Sequence, residues 1–469
     1  MGRTHIRERF KIQHGGGFMW SPKKSELRKP LYVGLVESLE QAIATGAVRV
    51  GERLPPQRGL ASSLGVTLDV VTQAYQLAES KGLIVGMVGR GTFVGAFPET
   101  AQAVDSEPRQ LVDLRMNTTM VSPFNESLNR LLGAIARRKS LHGLFEFHPG
   151  QGMEAHRAAG AHWLSLRGLA YTPDEVVVCD NMRDALLAIL AALSSGRHLI
   201  LTESLRFADF RRLAALFGIR VRGVAMDVNG LSPQALREAA RGEAVAAIFC
   251  SPTGHDPTNI TMPLERRHEI IDVARELDCL IVEDDTAGHL AGDDTPTLSA
   301  LAPDRCIYIC GTNRSLAVGL RIGYAAMRGP VRSRLDDTIP VLSWTSSALL
   351  GEITSTLIES RTGGRLLNWH RQEAVARQQI AADALQRGYP PLRFPSYHLW
   401  LPMAPNCTAK DFAAELLAEG VAVLPASAFS VDAEATPECV RISMGGVRER
   451  ERLAEALAIV ARVWRKGAR

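Results

Sequence analysis

The sequence predicts two unlike folds on one chain. An α+β winged helix-turn-helix comes first, followed by a larger α/β domain with a mainly parallel sheet and a small C-terminal α/β subdomain. Three observations carry this. Two short helical patterns meet at a glycine turn near residue 65 and run into an alternating, glycine-punctuated stretch. Beyond residue 110, short apolar runs alternate with helical ones. Charge is also unevenly placed: residues 1–98 hold thirteen Lys or Arg against seven Asp or Glu, and the remainder forty-one against forty-three.

A chain of 469 residues exceeds the ~100 to 200 expected of one domain. Apolar content of 46% with 22% charged residues is ordinary for a globular chain, which argues against disordered or fibrous classes. No apolar run approaches the ~20 residues that cross a bilayer, and the opening MGRTHIRERFKIQHGGG lacks a signal-type stretch. The expectation is a cytoplasmic protein without a membrane partner. Seven cysteines are scattered with no CxxC, so they are expected as buried reduced thiols rather than a metal site. A basic N-terminal fifth on a near-neutral body is the electrostatic footprint of a double-stranded DNA reader, because phosphate neutralisation supplies most non-specific affinity.

Residues 1–29 form a basic arm and residues 30–95 the first module. PLYVGLVESLEQAIATG reads as one amphipathic helix with Leu31, Leu35, Leu39 and Ile43 on a stripe and Gly46 as the stop. The double proline in GERLPPQRGLASSLG opens a short helix carrying Leu60 and Leu64, which Gly65 ends. Thr67 is placed to cap a second helix whose inner face is Val70, Val71, Ala74 and Leu77. LIVGMVGRGTFV then reads as a two-stranded wing.

RLPPQRGLASSLGVTLDVVTQAYQLAESKGLIVGMVGRGTFV closely resembles the GntR-type winged helix. That resemblance implies DNA contacts by Arg58, Thr67, Thr72 and Gln73 from the two helices, and by Arg90, Gly91 and Thr92 from the wing. Glycine at 89 and 91 lets backbone N–H groups approach phosphate. Leu68 and Asp69 stand where many members carry arginine, which leaves the base sequence read open but not the act of reading.

AFPETAQAVDSEPRQ, residues 96–110, reads as a linker. Beyond it, EVVVCD, RHLILTES, IRVRGVAMD, AVAAIFCS, CLIVEDD and CIYICGT are strand-like, separated by helical runs such as DALLAILAAL and PLERRHEIIDVAREL. From FHPGQGMEAHRAAGAHWLSLRG to VRISMGGV, residues 111–469 resemble the fold-type-I pyridoxal-phosphate transferase architecture. Its large part spans about 111–370 and its C-terminal subdomain about 371–469. Joined to a GntR-type winged helix, this resembles the MocR-type regulators. The likeness implies a head-to-tail homodimer, with the winged helix of one chain near the large domain of the other.

In that fold a lysine forms an imine with the cofactor, an acid pairs with the pyridine nitrogen, and small residues with an arginine hold the phosphate. CGTNRSLAVGLRIGY resembles the lysine loop, with Arg321 at the phosphate-reading arginine and Arg314 seven residues earlier, at the lysine position. Guanidinium stays protonated and forms no imine. No lysine occurs between Lys139 and Lys410 to replace it. The resemblance puts Asp284 at the ring nitrogen, Phe207 near the ring, and Arg441 at the fork that grips a substrate carboxylate.

Other positions depart from the pattern. Thr286 stands for a tyrosine, and Asn181, Met182, Arg183 and Asp184 for the usual phosphate cup. Asp256 stands for an asparagine that contacts the ring oxygen, and Asn259 for a glycine. Asp184 opposes a dianion at a helix N-terminus, which Arg183 would offset. The expectation is a non-catalytic domain without covalent cofactor. Three occupants of the pocket stay open: Arg314 paired with Asp284, a small carboxylate or phosphate effector, or non-covalent pyridoxal phosphate.

Overall fold

In the computed structural model, the described residues are 20, 22–44, 47–48, 52–80, 83–87, 91–94, 111–120, 123–138, 141–148, 150–194, 196–207, 209–342, 346–386, 393–432 and 436–467. The chain divides into a unit of residues 1–108 and one of residues 109–469. Most of the basic arm, Gly46, Gly89, Arg90 and the 96–110 linker lie outside the described residues.

In the first unit, α1 (Leu31–Ala44), α2 (Gln57–Leu64) and α3 (Leu68–Ser80) precede an antiparallel ribbon of β1 (Ile84–Met87) and β2 (Gly91–Val94). Gly65 ends α2 at φ 60° and ψ 44°, and its N–H returns to the Ala61 and Ser62 carbonyls. Glycine adopts that left-handed cap without a Cβ penalty. Leu35, Leu39, Leu60, Leu64, Val71 and Ala74 share one core with Trp20, Leu83, Ile84 and Val94. The Tyr75 hydroxyl donates to the Pro55 carbonyl at 2.6 Å, fixing α3 against the double-proline turn. The segment before α2 also braces the wing, through Leu54 N–H to the Thr92 carbonyl and Val94 N–H to the Glu52 carbonyl, both 2.9 Å.

The second unit begins with β3 (Val112–Asp113), α4 (Asn125–Ala136) and α5 (Glu154–Ser165). Next come β4 (Val176–Cys179), α6 (Met182–Leu193), β5 (Leu199–Glu203), β6 (Arg220–Val224) and a small hairpin of β7 (Met226–Asp227) with β8 (Gly230–Leu231). β9 (Val245–Cys250), β10 (Leu280–Asp284), β11 (Cys306–Gly311) and β12 (Gly323–Ala326) complete a seven-stranded sheet, ordered β4-β12-β11-β10-β9-β5-β6. β12 runs antiparallel to both neighbours and the other pairs are parallel. Strands covered on both faces read as unbroken apolar runs. Alternation along them divides two cores: Val177, Cys179, Ile307 and Ile309 pack with α6, and Val176, Val178, Tyr308 and Cys310 with Trp163 of α5.

A long helix, Arg361–Leu385, leads to the C-terminal subdomain. There β13 (His398–Pro402), β14 (Val421–Ala422), β15 (Leu424–Pro425) and β16 (Cys439–Ser443) precede a closing helix, Arg450–Gly467. β13, β16 and β15 form an antiparallel sheet, while β14 pairs with β3 from the start of the unit. Leu399, Phe412, Val440, Ile442 and Leu457 form its core. All seven cysteines are free, and only Cys407 is not buried. Among the described residues, no helix is long and apolar enough to cross a membrane.

Candidate functional site

In the helix-turn-helix, Arg58 on α2 and Gln73 on α3 are exposed, as is Thr67 directly before α3. Thr72 is half-buried, and its hydroxyl donates to the Gln57 side-chain oxygen at 3.1 Å, coupling α3 to α2. Gly91 opens β2 and half-buried Thr92 follows it. Sequence reasoning missed Lys24, whose ammonium donates to the Gly65 carbonyl at 2.7 Å and secures the turn between the helices.

In the second unit the candidate residues gather beyond the carboxyl ends of β9, β10 and β11, where parallel sheets place ligand sites. Arg314 follows β11, but its partner is not Asp284. Its Nη2 donates to Asp256 Oδ2 at 2.8 Å. Arg441, on the middle strand β16, donates from Nη1 to Asp256 Oδ1 at 2.8 Å. It also donates to the Arg115 carbonyl and stacks over Phe429, 4.6 Å from the ring centroid. Asn117 donates to the same Asp256 Oδ2 at 2.9 Å. One carboxylate thus bridges both arginines.

The turn carrying Asp256 is tightly made: His255 N–H reaches the Ile260 carbonyl at 2.9 Å, and Asn259 N–H the His255 carbonyl at 2.6 Å. Asn259 sits at φ 62°, a left-handed position that asparagine tolerates better than most residues, so the turn closes without a glycine there. Burial alone would raise the Asp256 pKa, but His398, Arg314 and Arg441 together hold the carboxyl well below its ordinary range. Burial pushes His398 down to about 4, so at neutral pH the two guanidiniums supply the charge.

Asp284 ends β10, where its Oδ1 accepts from Thr286 N–H at 3.1 Å and Thr286 Oγ1 at 2.6 Å. Its Oδ2 lies 3.8 Å from Arg206 Nη1. Arg206 is a buried cation that sequence reasoning missed. It stacks over Phe249 at 4.0 Å and donates to Glu203 Oε2 at 2.7 Å and to Ser251 Oγ at 3.0 Å. Burial would raise the Glu203 pKa, yet Arg206 carries it below the usual carboxylate range. Asp285 belongs to a separate buried network with Arg167 Nε and the Tyr308 hydroxyl, each 2.8 Å away. Phe207 is partly exposed, edge-on to Phe210 at 5.8 Å.

The α6 N-terminus is closed by its own residues. Asn181 Oδ1 accepts from Asp184 N–H at 3.0 Å, and Asn181 Nδ2 donates to Asp184 Oδ2 at 2.7 Å. Burial and Asp180 raise the Asp184 pKa while Arg321 opposes them. Arg321 itself is exposed, at φ 53°, with no hydrogen bond to another described residue. Met182 packs so near Gly311 that a Cβ there would lie 2.9 Å from its Cγ. Arg183 offsets Asp184 in part through its charge, while its guanidinium reaches Asp209 at 3.3 Å, where both side chains are about half exposed. These residues fit pyridoxal phosphate poorly at three points. Arg314 offers no imine nitrogen, Asp284 already faces a cation, and the helix terminus is self-capped beside two carboxylates.

The fold and site define a regulator-type fusion of a winged helix with an aminotransferase-like body. Residues 31–94 match the bacterial regulatory proteins of the gntR family, and residues 111–458 match aminotransferase class I and II. The second match covers well over half the chain, which therefore belongs to the aminotransferase class I and II family and carries a gntR-type DNA-binding domain. An uncharacterized HTH-type transcriptional regulator of Bacillus subtilis, YdeF, is 25% identical over 95% of this chain and 96% of its own length. The HTH-type transcriptional regulator TauR of Rhodobacter capsulatus is 26% identical over 92% and 96%. The pyridoxine biosynthesis regulator PdxR of Corynebacterium glutamicum is 27% identical over 73% and 77%. Among solved structures, a Pyrococcus horikoshii kynurenine aminotransferase superposes with TM-score 0.70 at 16% identity, covering 80% of this chain and 98% of the enzyme. An archaeal alanine:glyoxylate aminotransferase gives TM-score 0.69 at 20% identity, covering 76% and 91%. These likenesses show the fold.

Proposed function

We propose that this chain is a DNA-binding transcription regulator whose aminotransferase-like domain performs no imine chemistry and serves as the body of a homodimer and as an effector sensor. The observation that carries the reading is the Arg314–Asp256–Arg441 bridge, with both contacts at 2.8 Å. We place Arg314 at the lysine position of the fold. There a guanidinium held by a carboxylate is a structural cation, and the lysine-free stretch from 140 to 409 supplies no substitute. Arg441, which would fork a substrate carboxylate, is engaged by the chain's own. DNA contact is assigned to Arg58, Thr67 and Gln73, with Arg90, Gly91 and Thr92 in the wing. Thr72 acts through Gln57 by orienting α3. Exposed Phe145 and Phe147, at 73% and 70%, support pairing with a second copy.

Two measurements test this. A gel shift with the purified protein and its own promoter region should show sequence preference at moderate salt; uniform binding to all duplexes sinks the regulator reading. Incubation with pyridoxal phosphate and borohydride, followed by intact-mass analysis, should leave the mass unchanged. A stoichiometric adduct sinks the non-catalytic reading.

A further inference from the structure

Beside the Asp256 bridge lies a cavity of about 90 Å³ bounded by Asn117, Asn259, Thr261, Arg314, Arg393 and His398, with Leu290 and Ala291 as its apolar wall. Among the described residues, its lining contains two arginines and no carboxylate. Asp256 takes only Nη2 of Arg314. The remaining donors of that guanidinium, Nε and Nη1, have no partner among the described residues. Arg393 is exposed and stacks over Phe394, 5.2 Å from the ring centroid, which leaves its donors at the rim.

His398 lines the same cavity. Asn117 Nδ2 faces both Asp256 Oδ2 at 2.9 Å and His398 Nδ1 at 3.0 Å, so the amide donates to both and Nδ1 accepts. The proton of this neutral imidazole therefore sits on Nε2. That buried N–H is turned toward the His255 backbone carbonyl, outside close hydrogen-bonding geometry, so the cavity's donors are those of its arginines and Asn117. A cavity rich in donors and free of acids favours negative charge. An engineered apolar cavity of ~150 Å³ accepts benzene, so this one suits about four non-hydrogen atoms.

We propose that this cavity binds a compact oxyanion, the carboxylate of a small acid or inorganic phosphate, held between Arg314 and Arg393. The proposal rests on the reading of this domain as a non-catalytic sensor and names the ligand class. Asp256 positions Arg314 from behind, keeping one edge of the guanidinium engaged and the other turned to the ligand.

The test is thermal unfolding of the full chain titrated with acetate, pyruvate or phosphate against chloride at equal ionic strength, with acetamide as the uncharged control. At least one oxyanion should raise Tm saturably, with the rise growing logarithmically once the site is full. Acetamide should leave Tm unchanged. Arg393→Gln, at an exposed position, should raise the apparent Kd about tenfold or more, as expected for loss of a hydrogen bond to a charged group. Arg314→Gln, read against its own baseline, should abolish the response. A response to acetate or pyruvate alone assigns a metabolite carboxylate, and one to phosphate alone a phosphate group. Absence of any saturable shift, or a shift undiminished in both variants, overturns the proposal. A gel shift on the same preparations separates the two readings, because its failure beside an intact anion response sinks the regulator assignment and leaves the pocket standing.

Discussion

Asp256 has three donors on two oxygens, two of them guanidiniums, and its side chain is 25% exposed. Removing one member of a buried ion cluster is costly because the remaining charges lose compensation, whereas the intact cluster adds little net stability. Asp256→Ala should therefore lower unfolding stability by about 2 kcal/mol, reduced from the fully buried case by solvent access. The urea midpoint of the aminotransferase-like unit reads this directly. The bridge was not legible in the sequence. Arg441 comes from β16, Asp256 from the turn after β9 and Arg314 from the loop after β11, and no periodicity reports which of these segments meet. A signal did exist: Asp256 and Arg314, which the family resemblance reads as standing for an amide and a lysine, are complementary in charge.

The elements were far more legible than the contacts between them. Glycine stops, the double proline and the apolar stripes located α1, α2 and α3, and unbroken apolar runs located the sheet strands. Those signals are local and strong because backbone conformation and one buried face impose them directly. The parallel order β11-β10-β9-β5 follows from alternating strands and helices, whereas the antiparallel insertion of β12 does not. The turn between α2 and α3 allows a clean test at this scale. A Cβ added at Gly65 would meet nothing within 4 Å, so Gly65→Ala encounters only backbone strain at φ 60°. The cost should be about 1 kcal/mol. Circular dichroism melting should show it in the winged-helix transition, with the second unit's transition unchanged.

At the scale of the molecule, buried histidines set the response to acid, and burial lowers His255 and His370 among them. Burial pushes His156, His289 and His398 from 6.5 to about 4. Each is neutral in the fold and charged on unfolding between those values, so the unfolded chain binds more protons there. Stability should fall as pH drops from 6.5 toward 4, before Asp256, whose folded pKa is depressed, begins to protonate. Urea midpoints across that window should decline, and His289→Gln should flatten the slope by about one proton. A flat profile in the parent would count against neutral burial. The Asp256 bridge also bears on the molecule's history. A lysine becomes a nucleophile only when its ammonium is easily deprotonated, and a neighbouring carboxylate does the opposite. Arg314→Lys alone should remain silent toward pyridoxal phosphate, and Arg314→Lys with Asp256→Asn should still form no stoichiometric adduct until the self-capped α6 terminus is also opened by Asp184→Ser, each scored by intact mass after borohydride. On the proposed reading, imine chemistry is closed to any single substitution, like a lock with several wards, because Arg314, Asp256 and the α6 terminus each block it separately.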